Sequence, residues 1–189
     1  ATPSTYKDNV GSVTGAAQTA PVTDDTTPGI NVGPGLTDTP SLYVDGVKVP
    51  ATYDPVSGTL TPTTPLGAGA HTLTYTLTDS TGNESPQSGP LNLSVDTTAP
   101  GAPTAPTSYN DNVGAVQSPT STAATTDDTT PGINVGAGLT DTPALYVDGV
   151  KVPATYDPVS GTLTPTTPLG DGAHTLTYTL TDSTGNESP

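Results

Sequence analysis

Apolar residues in this chain fall on alternate positions, and nowhere on the three-to-four spacing of a helix. Ile30 and Val32 alternate with Gly29 and Asn31, and Leu42-Tyr43-Val44 runs through Asp45-Gly46 into Val47-Lys48-Val49. Alternation is the period of a strand with one buried face, and Asp-Gly between two such runs is a strong hairpin signal. Tyr53 to Gly58 turns the chain into Thr59-Leu60-Thr61. The clearest strand is His71 to Asp79, with Leu73, Tyr75 and Leu77 on one side and Thr72, Thr74, Thr76 and Thr78 towards solvent. A Ser80-Thr81-Gly82-Asn83 turn leads to a last strand with Leu91, Leu93 and Val95 inward. Tyr43, Tyr53 and Tyr75 read as core or half-buried residues.

The block Asp24 to Pro86 returns as Asp127 to Pro189, 103 residues on, with Pro34, Ser41 and Ala68 replaced by Ala137, Ala144 and Asp171. Near-identical tandem copies suit an array, where each unit adds length or valency. With a short first strand near Tyr6, each copy carries about seven short strands in about 100 residues, which predicts two tandem immunoglobulin-like β-sandwiches. Residues 1–96 form the first and 104–189 the second. A proline-rich linker, 97–103, joins them, and its prolines favour an extended, semi-rigid connection. The copies diverge most between Ser12 and Val22, which reads as a tolerant surface loop. The second copy stops at the equivalent of Pro86, so its last strand is expected to be missing. That sandwich is then not fully native unless following residues or a neighbour supply the strand. The opening Ala1-Thr2-Pro3 reads as the start of an excised piece.

The chain has no Phe, Trp, Met or Cys, so its cores must be built from Val, Leu, Ile, Ala and Tyr. Eighteen acidic residues against three basic ones give a formal net charge of -15. Nucleic acid and anionic membranes, which need a basic face, are excluded as partners, and cations are the natural ligands. No apolar run is long enough for a membrane-spanning helix. Catalysis finds no support: there is no nucleophile elbow, no phosphate loop and no Cys. His71 and His174 each open a strand with no second His or Cys nearby, so they do not make a transition-metal site.

Several motifs occur in order: Asp8-Asn9-Val10-Gly11, Thr23-Asp24-Asp25-Thr26-Thr27-Pro28, Pro65 to Leu73, Thr78-Asp79-Ser80-Thr81-Gly82-Asn83-Glu84-Ser85, and Asp96-Thr97-Thr98-Ala99-Pro100. Together they resemble the bacterial Ig-like repeats of giant surface adhesins, the biofilm-associated and ice-binding-adhesin type. Where that family often has a Trp after the Asn/Asp-Gly turn, this chain has Leu60 and Leu163. The resemblance implies type I secretion, an extracellular place on the bacterial surface, and a stalk of stacked repeats that supports adhesion and biofilm formation. It also implies calcium bound at and near the junctions between repeats.

Residue chemistry points to the same ion, since calcium takes six to eight oxygen ligands. Asp24, Asp25 and Asp96 are expected at one end of the first sandwich, and Asp182, Asn186 and Glu187 at the facing end of the second. Asp79 and Glu84 are the first-repeat equivalents of the latter, and Asp127 and Asp128 repeat Asp24 and Asp25. Asp8 and Asp111 complete the candidate set. Carboxylates that converge without arginine repel one another, and a divalent cation removes that cost. The plainer reading is that each Asp caps a turn, and it is preferred for Asp45 and Asp148. The expected partners are neighbouring repeats of the same chain, and like repeats on other cells. A direct binding module for a surface, glycan, ice or like repeats is the alternative function, although Thr on the outer face of a strand is ordinary.

Overall fold

In the computed structural model, which describes residues 1–189, Asp45 takes a left-handed φ of 52° and Val44 pairs with Val47 across the two-residue hairpin loop. That is the turn geometry an Asp-Gly pair selects, because its twist matches that of the flanking strands. The chain is all strand and turn, with no helix, and it divides into two compact units built on Ala1–Thr98 and Ala99–Ser183.

Ten strands make the first unit: β1 Tyr6–Asp8, β2 Gly15–Gln18, β3 Val22–Thr23, β4 Gly29–Asn31, β5 Thr39–Val44, β6 Val47–Val49, β7 Ala51–Asp54, β8 Thr59–Pro62, β9 Gly69–Thr78 and β10 Leu91–Val95. They form two five-stranded sheets, ordered β2-β1-β4-β8-β7 and β3-β10-β9-β5-β6. All the pairings are antiparallel except that of β3 with β10, which is parallel. Between the sheets lie Tyr6, Ile30 and Leu60 from one and Leu42, Val44, Leu73, Tyr75, Leu93 and Val95 from the other. With no Phe or Trp to fill space, the two tyrosines are the bulkiest core residues, and Tyr6 settles its hydroxyl by donating to the Val22 carbonyl.

Two expectations need correcting. The strand count exceeds seven, because the stretch read as a loop contains β2 and β3, and Ala51–Asp54 pairs with β8 as β7. The threonines of β9 do not all face water. Thr74 and Thr76 are buried, their hydroxyls donating to Gln87 and Glu84 of the segment that crosses the outer face of the strand.

The second unit contains β11 Tyr109–Asp111, β12 Ser118–Ser121, β13 Gly132–Asn134, β14 Thr142–Val147, β15 Val150–Val152, β16 Ala154–Asp157, β17 Thr162–Pro165 and β18 Leu176–Thr181. One sheet repeats its counterpart as β12-β11-β13-β17-β16, but the other has three strands, β15-β14-β18. The second unit has no counterpart of β10, and Thr125–Thr126, which correspond to β3, form no strand. β18 is also shorter than β9: Gly69 to Thr72 are strand, whereas the identical Gly172 to Thr175 are not. The cause is pairing, because Gly69 to Leu73 are the residues that lie opposite Val95 to Leu91.

Candidate functional site

One end of each unit is built from two loops that tie their acidic side chains together. In the first, the turn after β1 meets the turn after β3. The Thr23 hydroxyl donates to Asp8 Oδ2 at 2.6 Å and accepts from the Asp25 backbone N–H at 3.1 Å. Asp8 Oδ1 accepts from Val10 N–H, while Asp25 accepts from Thr27 N–H at 2.7 Å and from Asn9 N–H at 3.4 Å. Asp8 and Asp25 are 3% and 0% exposed, so these are buried carboxylates held by hydrogen bonds in place of a basic side chain. Asp24 lies against Gly11, whose φ of +65° and missing side chain make the approach possible: a Cβ there would stand 1.9 Å from Asp24 Oδ2. Asp96 leaves β10 beside this loop, its N–H donating to the Thr23 carbonyl and its carboxylate accepting from Thr98 N–H.

The second unit repeats the arrangement. Thr126 donates to Asp111 at 2.8 Å, Asp128 accepts from Asn112 and Thr130 N–H, and Gly114 gives way to Asp127 as Gly11 does to Asp24. Thr23 is buried where Thr126 is exposed, because β10 covers only the former. Thr23→Val is therefore expected to strand a buried carboxylate oxygen and a buried N–H together, and to cost about 1–3 kcal/mol in the first unit. Thr126→Val should cost less; chemical denaturation of each variant checks the difference.

Asp79 and Glu84 lie elsewhere. Gly69 pairs with Val95 and Asp79 follows the other end of β9, so the ten-residue strand separates Asp79 from Asp96 by roughly 30 Å at 3.3 Å per residue. Asp79 caps its own turn, accepting from Thr81 and Asn83, and these bonds hold its carboxyl well below the usual carboxylate range. Glu84 accepts from Tyr43 and has Lys48 at 3.8 Å, and Glu187 accepts from Tyr146, Thr179 and Lys151, the last at 3.0 Å. Hydrogen bonds from Thr76 and Thr179, respectively, lead in lowering the pKa of these two glutamates. Asp182 follows β18 as Asp79 follows β9, and Asn186 donates to Thr184 within the same turn. The candidate set thus falls into a buried acidic loop at one end of the fold and a capped turn at the other.

The loop offers calcium the right donor class: carboxylate, hydroxyl and backbone oxygens. It does not offer a gathered shell. No group of three or more Asp, Glu, His or Cys side chains is arranged to hold a metal ion, and the oxygens of Asp8 and Asp25 serve as hydrogen-bond acceptors.

A second polar constellation, the clamp between Asp45 and His71, was not legible because its partners are 26 residues apart. His71 Nδ1 lies 2.8 Å from Asp45 Oδ2, and Nε2 lies 2.8 Å from the Gly67 carbonyl. Both neighbours are acceptors at neutral pH, an arrangement that favours the doubly protonated ring. Its pKa is raised accordingly, chiefly by Asp45 and then by Gly67, and that of Asp45 is lowered, chiefly by the Thr72 N–H and then by His71. His174 and Asp148 do the same in the second unit. A raised His pKa contributes stability that is complete below the ordinary value of 6.5 and fades as pH rises through the folded value. The lowered Asp pKa contributes above 3.8 and fades as pH falls through the folded value. The melting temperature is therefore expected to fall as pH is raised from 6 towards 9, and the double variant His71→Gln, His174→Gln should flatten that slope in scans across the same range.

The fold and its polar sites define a class, the tandem immunoglobulin-like sandwich module with hydrogen-bonded acidic loops. Residues 1–97, just over half of the chain, match the bacterial Ig-like domain family, and the chain belongs to that family. No curated protein matches it. The family is typically non-enzymatic, its members are often surface-exposed, and no helix of this chain is long and apolar enough to cross a membrane.

Proposed function

We propose that these repeats are load-bearing extender units of a bacterial cell-surface adhesin, exported by type I secretion, which supports adhesion and biofilm formation without chemistry of its own. The observation that carries this reading is the parallel pairing of β3 with β10. When a chain is pulled from its two ends, antiparallel neighbours near a terminus peel apart one hydrogen bond at a time. Parallel neighbours must instead be sheared with their bonds loaded together. Ser94 and Asp96 N–H donate to the Pro21 and Thr23 carbonyls, both at 2.8 Å, and set that shear patch between the third strand, β3, and the leaving strand, β10. Near-identity of the two copies supports a spacer further, because length does not require a specialised face.

Pulling the whole chain by its ends tests the reading. The first repeat is expected to yield in a single high-force event with a length gain of roughly 30 nm, as about 90 residues at 3.3–3.6 Å each require. The second, without the parallel patch, should yield at clearly lower force. Equal forces would remove the support for a load-bearing unit. Saturable attachment of the chain itself to a glycan, to ice or to like repeats would favour a direct binding module.

Calcium belongs to the same proposal as the ion that stiffens the acidic loops around Asp8, Asp24 and Asp25 and around Asp111, Asp127 and Asp128. Extracellular modules bind it at about 0.1–1 mM, and saturation at ten times the dissociation constant adds roughly 1.4 kcal/mol. A few millimolar CaCl2 is expected to raise the melting temperature above that in EDTA, and Asp25→Asn to abolish the rise for the first repeat. An unchanged melting temperature would remove calcium from the account.

A further inference from the structure

The two hairpin tips, Asp45–Gly46 and Asp148–Gly149, carry the dipeptide most prone to rearrange through its own backbone. In an Asp-Gly pair the glycine nitrogen attacks Cγ of the preceding aspartate, since no side chain hinders its approach. The N–Cγ bond forms, a Cγ–O bond breaks and the carboxyl oxygen leaves as water, giving a five-membered succinimide. Water then opens the ring. Opening at the main-chain carbonyl leaves the chain running through Cγ, an isoaspartate with one extra methylene in the backbone and no net change of mass. Both carboxylates are engaged elsewhere in the fold. Asp45 Oδ1 accepts from Thr72 N–H at 2.8 Å, Oδ2 lies 2.8 Å from His71 Nδ1, and the Asp45 N–H donates to the Thr72 carbonyl at 2.9 Å. Asp148 makes the same three contacts with Thr175 and His174, each at 2.8 Å.

We infer that this clamp guards each hairpin against isoaspartate formation, and that Asp45–Gly46 and Asp148–Gly149 are modification sites held closed by His71 and His174. To close the ring, Cγ must swing towards the glycine nitrogen, so both carboxylate oxygens must first leave their partners. Two hydrogen bonds to an ionised group are lost together, each worth about tenfold or more in an equilibrium. The same donors favour the ionised carboxylate, whose charge makes it the poorer target for the incoming nitrogen. The product would also end the clamp. An isoaspartate carries its free carboxylate directly on Cα, one carbon short of the reach to His71 and Thr72, and its extra methylene breaks the two-residue loop that sets Val44 opposite Val47. A third pair, Asp171–Gly172, stands where the first repeat has Ala68-Gly69, and it is exposed and outside any such clamp. It presents the same dipeptide without the guard.

The test ages the whole chain in warm neutral buffer made with heavy-oxygen water. Each succinimide that opens takes up one labelled oxygen, so peptide mapping by mass spectrometry reads all three pairs in one sample. Asp171 is expected to convert at least about tenfold faster than Asp45 and Asp148. His71→Gln removes the charged donor of the first clamp alone, and should speed conversion at Asp45 by about tenfold while Asp148 keeps its slow rate. Equal conversion at Asp45 and Asp171 in the unaltered chain would overturn the inference. So would a His71→Gln chain whose Asp45 converts no faster than before, and a slower Asp45 there would make His71 an acid catalyst of ring closure, the opposite of a guard. Hydrogen exchange across β5 shows whether that variant keeps its first unit folded; where it does not, the comparison of the three pairs in the unaltered chain decides alone.

Discussion

Heating the 189-residue chain should unfold the second repeat well before the first. The two cores are built from nearly the same residues, and the difference between them is β10. Burying Leu93 and Val95 contributes about 1.5–3 kcal/mol each, and Leu91 is half-buried beside them. A change of 1 kcal/mol moves the midpoint of a domain this size by about 4–8 °C, so the transitions should lie more than roughly 10 °C apart. Core variants assign them. Leu60 and Leu163 are each 1% exposed at equivalent positions, and replacing either with Ala should cost about 2–5 kcal/mol. Leu60→Ala is expected to lower only the upper transition in calorimetry and Leu163→Ala only the lower. A single transition, or the reverse assignment, would contradict the account of what β10 contributes.

The largest effect of a single added methyl group is expected at Gly58. Its φ is +75°, its N–H donates to the Asp54 carbonyl, and its own carbonyl accepts from Val32 and Gly33 N–H at 2.9 and 3.2 Å. A Cβ at this position would stand 2.4 Å from both Gly33 C and Pro34 N, which are backbone atoms that cannot rotate away. Relief requires moving the Gly33–Pro34 segment and losing the hydrogen bonds that fix it, on top of the roughly 1–2 kcal/mol a side chain meets in the left-handed region. Gly58→Ala should therefore destabilise the first repeat by more than about 2 kcal/mol, and Gly161→Ala the second. Gly67 has open space around it and no positive φ, so Gly67→Ala serves as the near-neutral control. If both glycines tolerated Ala equally, the packing of that turn would be misdescribed.

Much of this architecture is legible in the residue pattern, because alternation and turn chemistry act locally. The Asp45-Gly46 hairpin, the inward Leu73 and Tyr75, and the inward Leu93 and Val95 all stand where period two places them. What is not legible comes from pairing over distance. Gly69-Ala70-His71-Thr72 and Gly172-Ala173-His174-Thr175 are the same four residues, yet only the first set is strand, since only it has β10 alongside. Thr74 and Thr76 look like solvent-facing residues until Gln87 and Glu84 are seen to cover them. The candidate site divides in the same way. Asp24 and Asp25 announce a polar turn by themselves, but their association with Asp8 rests on Thr23 reaching across 15 residues. The His71–Asp45 clamp likewise needs the hairpin to bring its members together.

Backbone hydrogen exchange on the intact chain tests most directly the claim that β10 completes a repeat and makes it load-bearing. His71 and Leu73 are compared with His174 and Leu176, which share their local sequence but not their neighbour. The account predicts slow exchange of the first pair, close to that of the core amides of β5, and fast exchange of the second. Equal protection of the two pairs would mean that β10 does not hold the edge of β9 in solution, and the parallel clamp built on it would fall with it.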